Sequence, residues 1–339
     1  MGAGHHHPPS VCSTVNRSFR RFLVALLLAV AVYGGFVLWT GYHSLAKALD
    51  SFAWWTFFAA LGLSSFNYVL RFMKWEYYLK RLDIRGVPKW DSFLIFLSGF
   101  VLTITPGKVG EVFKSAVLQS THRVDLAKTA PIIVAERLTD VVAIVVLVVA
   151  GSLGFQGGLP WALAGTAAVL VGLAMISWPP PLQYVIEQLQ RRSGRAQAWV
   201  PKLKTAQQSL LLVAHPRALL VPTLLSLIGW GGEGFALNLL LQGFGEPTPL
   251  TLSLFFYATA TLAGALIPVP GGLGVAEGIM QSQLVQLGRV AQGAATGSML
   301  MIRFATLWWA VLVGFVALAL LKLRYPQLMR ADASAPASL

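Results

Sequence analysis

Charged residues embedded in apolar sequence are the part of this chain with chemical content. Glu136, Arg137 and Asp140 open an apolar run over 130–152, and Lys108, Glu111 and Lys114 recur at spacing three. Ionisable groups are costly in hydrocarbon, so inside a membrane they pair with one another or line a path for an ion or polar substrate. Glu136 and Asp140 share a helix face, with Arg137 beside it. Either Arg137 and Asp140 form an internal ion pair that locks neighbouring helices, or the cluster faces a substrate. Lys108, Glu111 and Lys114 also share a face. If a half-helix begins near residue 109, its free N–H groups and positive dipole end favour an anion such as a lipid phosphate. Lys114 alone could instead reach cytoplasmic headgroups by snorkelling, and the same choice applies to Arg71 and Lys74. Arg303, Glu277 and Glu233 are the remaining intramembrane charges. Arg303 either neutralises Glu277 or contacts a phosphate. Glu111, Glu136, Asp140 and Glu277 are the candidates for carrying a proton.

Two breaks must position these groups. Thr105-Pro106-Gly107-Lys108-Val109-Gly110-Glu111 returns 164 positions later as Val269-Pro270-Gly271-Gly272-Leu273-Gly274, with Glu277 close behind. Proline removes a backbone donor and glycine favours a turn, so helices stop there. Broken backbone survives at membrane depth only where protein or a watery cavity covers it. A matched pair of breaks points to a transporter-like site between two repeats. Gly229, Gly231, Gly232 and Gly234 surround Glu233 and would let helices approach closely.

Composition sets the solvent. The chain has 339 residues, 56% hydrophobic and 12% charged, where a soluble domain carries about 25% charged residues. Its mean hydropathy is +0.66. The net charge of +13 does not indicate nucleic acid, because the basic residues fall between apolar stretches, as in cytoplasmic loops. The single cysteine, Cys12, builds neither a disulfide framework nor a cysteine metal site. His5, His6 and His7 lie in a Pro/Gly/Ser leader that reads as a disordered tail.

Apolar stretches long enough to span lie at 22–40, 52–72, 130–152, 160–178, 218–241 and 298–321. Basic loops at 71–91 and 179–217 and the basic tail put both termini in the cytoplasm. The shorter apolar pieces flanking the breaks read as re-entrant hairpins, 92–121 entering from the cytoplasm and 251–287 from outside; the alternative is eight kinked ordinary spans. The expected fold is an all-α polytopic membrane protein with six transmembrane helices and two oppositely oriented re-entrant hairpins in an inverted repeat. Residues 1–18 form a disordered leader, 19–325 one membrane domain and 326–339 a disordered tail. An amphipathic segment over 182–213 lies on the cytoplasmic surface.

Enzyme signals are weak. There is no metal-ligand spacing, nucleophile elbow, P-loop or nucleotide-binding glycine fingerprint, so no cofactor or catalytic residue is expected.

Taken in order, Arg71-x-x-Lys74-Trp75, Pro106-Gly107-Lys108-x-Gly110-Glu111, Glu136-Arg137-x-x-Asp140, Pro270-Gly271-Gly272-x-Gly274 with Glu277, and Arg303 resemble the membrane region of lysylphosphatidylglycerol synthases. The resemblance extends to the free-standing YbhN-like proteins and covers about residues 20–325. It implies an inner-membrane protein associated with flipping lipid between leaflets. The synthases' soluble catalytic domain is absent from this sequence, so synthase activity is not implied. Family members more often carry arginine at the positions of Lys108 and Lys114, and lysine keeps the charge but loses bidentate phosphate binding.

The resulting expectation is a flippase for an anionic or amphiphilic lipid, either a phospholipid or a lipid-linked sugar. Arg71, Lys74, Lys108, Glu111, Lys114, Arg137 and Arg303 would contact or counterbalance the headgroup. Pro106, Gly107, Gly110, Pro270, Gly271, Gly272 and Gly274 would form the half-helix ends. Glu136, Asp140, Glu233 and Glu277 are the other buried carboxylates. The alternative is a non-transporting lipid-binding partner of a glycosyltransferase or lipid synthase, with an intramembrane transferase ranked last.

Overall fold

The computed structural model describes residues 11–105, 110–155, 200–267 and 269–326, with residues 160, 163, 164, 166 and 167. Every regular element among them is helical. The first long helix, α1 (Val11–Thr40), starts earlier than the boundary at 19 expected from sequence. It turns through 88° at Gly41 into α2 (Tyr42–Asp50).

Two similar runs of elements follow. The first is α3 (Trp55–Arg81), α4 (Lys89–Ser98) with a 3-10 turn Gly99–Leu102, α5 (Gly110–His122) and α6 (Leu126–Ser152). After α7 (Val200–Val213), the second is α8 (Pro216–Gly243), α9 (Leu250–Leu266) and a 3-10 turn Pro270–Gly272. It continues with α10 (Val275–Gln286), α11 (Gln292–Arg303), a π turn Phe304–Trp308 and α12 (Trp309–Arg324). Each run is thus long helix, short helix, break, short helix, long helix. Local chemistry sets the boundaries. Pro88 and Pro249 precede α4 and α9 in extended conformation, which a proline and its neighbourhood favour over helix. Asp125 caps α6 by accepting from the Ala127 N–H at 3.0 Å.

At both breaks the chain folds back. A helix continuing from Gly99 to Gly110 would separate them by roughly 16 Å at 1.5 Å per residue. Instead the two backbones touch: a Cβ on Gly110 would lie 2.2 Å from the Gly99 carbonyl oxygen. Gly264 and Gly272 make the equivalent contact, where a Cβ on Gly272 would lie 3.0 Å from the Gly264 Cα. The second turn also needs left-handed backbone, with φ of +60°, +70° and +83° at Gly271, Gly272 and Gly274. Pro106, Gly107 and Lys108 lie outside the described residues.

The two runs interlock. α3 packs along α8, α6 lies against α9, and α12 lies against α4 and its 3-10 turn. One apolar core gathers around the second hairpin (Leu237, Phe255, Met280, Met299) and another around the first (Trp75, Ile95, Leu118, Leu321). Outward-facing apolar residues such as Leu27, Leu38, Phe58, Leu224 and Leu323 are exposed, as expected where the surrounding solvent is lipid.

Two described helices are long and apolar enough to cross a membrane, Arg217–Gly243 and Gln292–Arg324, and the bent pair Leu26–Thr40 with Tyr42–Asp50 is a third candidate. α3 and α6 match them in length, but Asn67, Arg71 and Lys74, and Glu136, Arg137 and Asp140, interrupt their apolar runs. The expected span 160–178 falls almost wholly outside the described residues, as do 182–199 of the amphipathic segment and the histidine run. The described remainder, α7, packs along α6 with Val213 buried and Leu211 and Leu212 exposed. Trp39, Trp54 and Trp55 are exposed, as expected of interfacial tryptophans.

Candidate functional site

Where α3, the first hairpin and α6 converge, six of the candidate charges form a largely buried network. Lys74 donates to Asp140 Oδ1 at 2.7 Å, to Ser226 Oγ at 2.8 Å and to Thr139 Oγ1 at 3.2 Å. Those contacts use all three ammonium donors. Lys114 donates to Glu136 Oε2, with its ammonium 4.6 Å from the centre of the Trp75 ring and 5.4 Å from that of Phe96. Both lysines are buried, so neither snorkels to the headgroups. The reason lies in α6, which presents an acceptor to each of them.

Arg137 donates through Nη2 to Glu111 Oε1 across the hairpin. The anticipated pairing with Asp140 also exists, at 3.4 Å from the same nitrogen, but Asp140 is held mainly by Lys74. The first hairpin is therefore tied to α6 twice, by Glu111–Arg137 and by Lys114–Glu136.

A partly open pocket, with about 90 Å³ of room for water-sized molecules, lies beside this network. Arg71, Lys114, Arg137 and Glu111 give it charge, and Phe96, Phe100 and Trp230 give it an aromatic wall. Gly99 and Gly110, which meet at the fold-back, also line it. Two features of the lining stand out. Arg137 Nε is buried without a hydrogen-bond partner among the described residues. Arg71 is in no ion pair among the described residues, its guanidinium lying 5.4 Å from the Phe100 ring centre. The pocket thus has cationic capacity that its carboxylates do not consume.

The second hairpin carries a similar pair in a closed setting. Arg303 Nε donates to Glu277 Oε1 at 2.6 Å, and Arg303 Nη2 donates to the Gly271 carbonyl at 2.6 Å. Glu277 Oε2 accepts from the Gly274 N–H at 2.7 Å, capping α10. Tyr33 approaches Glu277 Oε1 at 3.5 Å and accepts from Trp308 Nε1 at 3.0 Å. Of the two roles open to Arg303, the structure fills the first: it neutralises Glu277 and holds the broken backbone.

The family model of the lysylphosphatidylglycerol synthase TM region matches residues 26–314, spanning both hairpins and both clusters. The chain belongs to that family. It is accordingly a membrane protein, and the ordered residue set that carried the resemblance, Arg71 to Arg303, lies wholly inside the matched region. No curated protein matches the chain.

Several residues of the network have no signal of their own in the sequence. Ser226 and Thr139 complete the Lys74 shell and Trp230 walls the pocket, while Trp75, part of the motif around Lys74, roofs Lys114. Glu233 is bound by Asn67 Nδ2 at 2.6 Å and by the Tyr257 hydroxyl. One regularity could have exposed part of this. Glu111 and Arg137 are 26 positions apart, and so are Glu277 and Arg303. Of the glycines around Glu233, Gly229 packs against Asn67 and Gly234 against Leu254, while a Cβ on Gly232 would meet open space.

Proposed function

We propose that this protein moves an anionic or amphiphilic lipid, a phospholipid or lipid-linked sugar, between leaflets, with the headgroup passing through the pocket beside the first hairpin. The observation that carries this reading is Arg71: a guanidinium in the pocket wall with no carboxylate partner among the described residues. A guanidinium in a partly apolar cavity favours a ligand anion, and phosphate fits its fork of donors. Arg137 adds a second guanidinium to the lining, its buried Nε without a hydrogen-bond partner among the described residues. The aromatic wall of Phe96, Phe100 and Trp230 suits the apolar part of an amphiphile. Lys74, Lys114, Glu111, Glu136 and Asp140 then serve as the frame that holds these donors in place. Lys108 would add charge at the hairpin tip.

In this reading the six spans and two hairpins form an inverted repeat, the hairpins entering from opposite sides. Both termini lie in the cytoplasm and the host is the inner membrane, as the basic loops favour. The chain has no ATP-binding motif, so an ion gradient, the membrane potential or the lipid gradient supplies the drive.

The test is translocation of fluorescent phosphatidylglycerol in reconstituted vesicles, read by quenching of the outer leaflet. Wild-type protein should accelerate exchange, and Arg71→Gln should abolish it while the protein stays folded. A wild type that binds the lipid without moving it would sink the reading and favour the partner role. Chemical conversion of the lipid by wild type alone would favour a transferase.

A further inference from the structure

Glu233 stands apart from the other buried acids. Asp140 has Lys74, Glu136 has Lys114, Glu111 has Arg137 and Glu277 has Arg303. Glu233 is 4% exposed and is in no ion pair among the described residues. Its contacts are neutral: the Asn67 amide on Oε1 and the Tyr257 hydroxyl on Oε2. Charged groups surround it at longer range. They are Arg71 on α3 and Asp140 on α6, with the Tyr68 hydroxyl on α3 and Arg303 on α11 acting through Tyr257. A carboxylate without a cation in a low-dielectric interior sheds its charge by taking up a proton. Neither Asn67 nor Tyr257 blocks that change. Tyr257 Oη can accept from a protonated carboxyl as readily as its hydroxyl donates to a carboxylate.

Its position is equally distinctive. Glu111 and Glu277 are 166 positions apart, as are Arg137 and Arg303. Asn67 and Glu233 are also 166 apart, and they touch. A residue in contact with its own repeat equivalent lies on the axis relating the two repeats. Glu233 therefore sits where α3 and α8 cross, between the two hairpins. On either side it is one helical turn from the pocket, through Trp230 on its own helix and Arg71 beyond Asn67 on the other.

We infer that Glu233 is a proton-binding site that couples a transmembrane proton gradient to movement of lipid through the pocket. Binding adds a proton to a carboxylate oxygen of Glu233 and removes a negative charge that no cation among the described residues pairs. That changes the electrostatic balance around Arg71 and the α3–α8 contact together. The coupling rests on the flippase reading, whereas the proton site itself does not.

Two measurements separate them. Infrared difference spectra of detergent-purified protein, taken between alkaline and acidic pH, should show a buried protonated-carboxyl band. That band should disappear in Glu233→Gln and shift in Glu233→Asp, with Glu111→Gln, the milder of the brace variants, leaving it in place. Absence of such a band from wild type, or its persistence in Glu233→Gln, overturns the proton site whether or not lipid moves. In vesicles containing fluorescent phosphatidylglycerol, an imposed pH difference should accelerate wild-type exchange. Glu233→Gln should lose that acceleration and Glu233→Asp should retain it. Wild-type exchange indifferent to the pH difference overturns the coupling. No wild-type exchange at all overturns both the coupling and the flippase reading, and leaves the infrared result to decide the proton site.

Discussion

Glu111 meets Arg137 at the first hairpin and Glu277 meets Arg303 at the second, each pair 26 residues apart. The surroundings differ. Arg303 also gives Nη2 to the Gly271 carbonyl, and Glu277 is wholly buried and accepts on its second oxygen from the Gly274 N–H. At the first hairpin Glu111 lines an open pocket, and among the described residues Arg137 Nε is buried without a partner and Arg71 is in no ion pair. The same brace is closed on itself in one repeat and left with spare donors in the other. A saturated brace holds a turn, and an unsaturated one can also take a ligand. The larger effects of mutation on folding should therefore fall at saturated pairs, and the larger effects on lipid at the open one.

Lys74–Asp140 offers the strongest test of the framework, since both side chains are almost fully buried. Removing one partner strands a charge, which costs about 3–5 kcal/mol. Lys74→Met should therefore lower thermal stability in detergent severely, and Lys74→Met with Asp140→Leu should recover much of the loss. A single variant as stable as wild type would mean that the pair does not hold α3 to α6.

The two braces can be set against each other directly. Glu277→Gln should cost about 3–5 kcal/mol, because Arg303 would be left buried and unpaired. Glu111→Gln should cost less, about 1.5–3 kcal/mol for a lost charged hydrogen bond, since Arg137 retains Asp140 at 3.4 Å and is partly exposed to the pocket. Equal losses in thermal unfolding would erase the distinction between closed and open brace.

The fold-back points come next. Gly110→Ala would place a methyl 2.2 Å from a backbone oxygen, so the arms must part, at a cost of about 1–3 kcal/mol. At Gly264 the nearest contacts are 3.1 Å or longer and the backbone is helical, so Gly264→Ala should cost less. Unfolding midpoints of the two variants measure this difference.

What the sequence discloses follows the same division. The breaks are legible because Pro and Gly act locally: Pro270-Gly271-Gly272 forms its turn from its own backbone preferences. The charges are legible because any ionisable residue in an apolar run is conspicuous. Their partners are hidden. Lys74 and Lys114 read like interfacial lysines, and only the packing of α3 and α5 against α6 supplies the buried acceptors that draw them inward. Arg137 has an acid three residues ahead, yet its closest partner lies across a hairpin whose fold-back brings Glu111 within reach. Asn67 and Tyr257 are neutral, so nothing marks them until α3, α8 and α9 meet around Glu233.

Arg71→Gln should have the smallest effect on folding and the most selective effect on function. Arg71 is in no ion pair among the described residues, and its ring contact at 5.4 Å is an exchangeable one. Substitutions away from buried networks usually fall within about 0.5 kcal/mol of wild type. Removing the guanidinium also relieves the repulsion between neighbouring cations of the pocket, which offsets any lost contact with Phe100. Binding of an anionic lipid should respond in the opposite sense, because the surplus positive charge is what the pocket offers beyond its internal pairs. Lipid retained through gentle purification, identified by mass spectrometry, should fall in Arg71→Gln and persist in a Tyr33→Phe variant at the closed brace. If Arg71→Gln keeps its lipid but unfolds early, Arg71 belongs to the frame, and the open brace is no more a ligand site than the closed one.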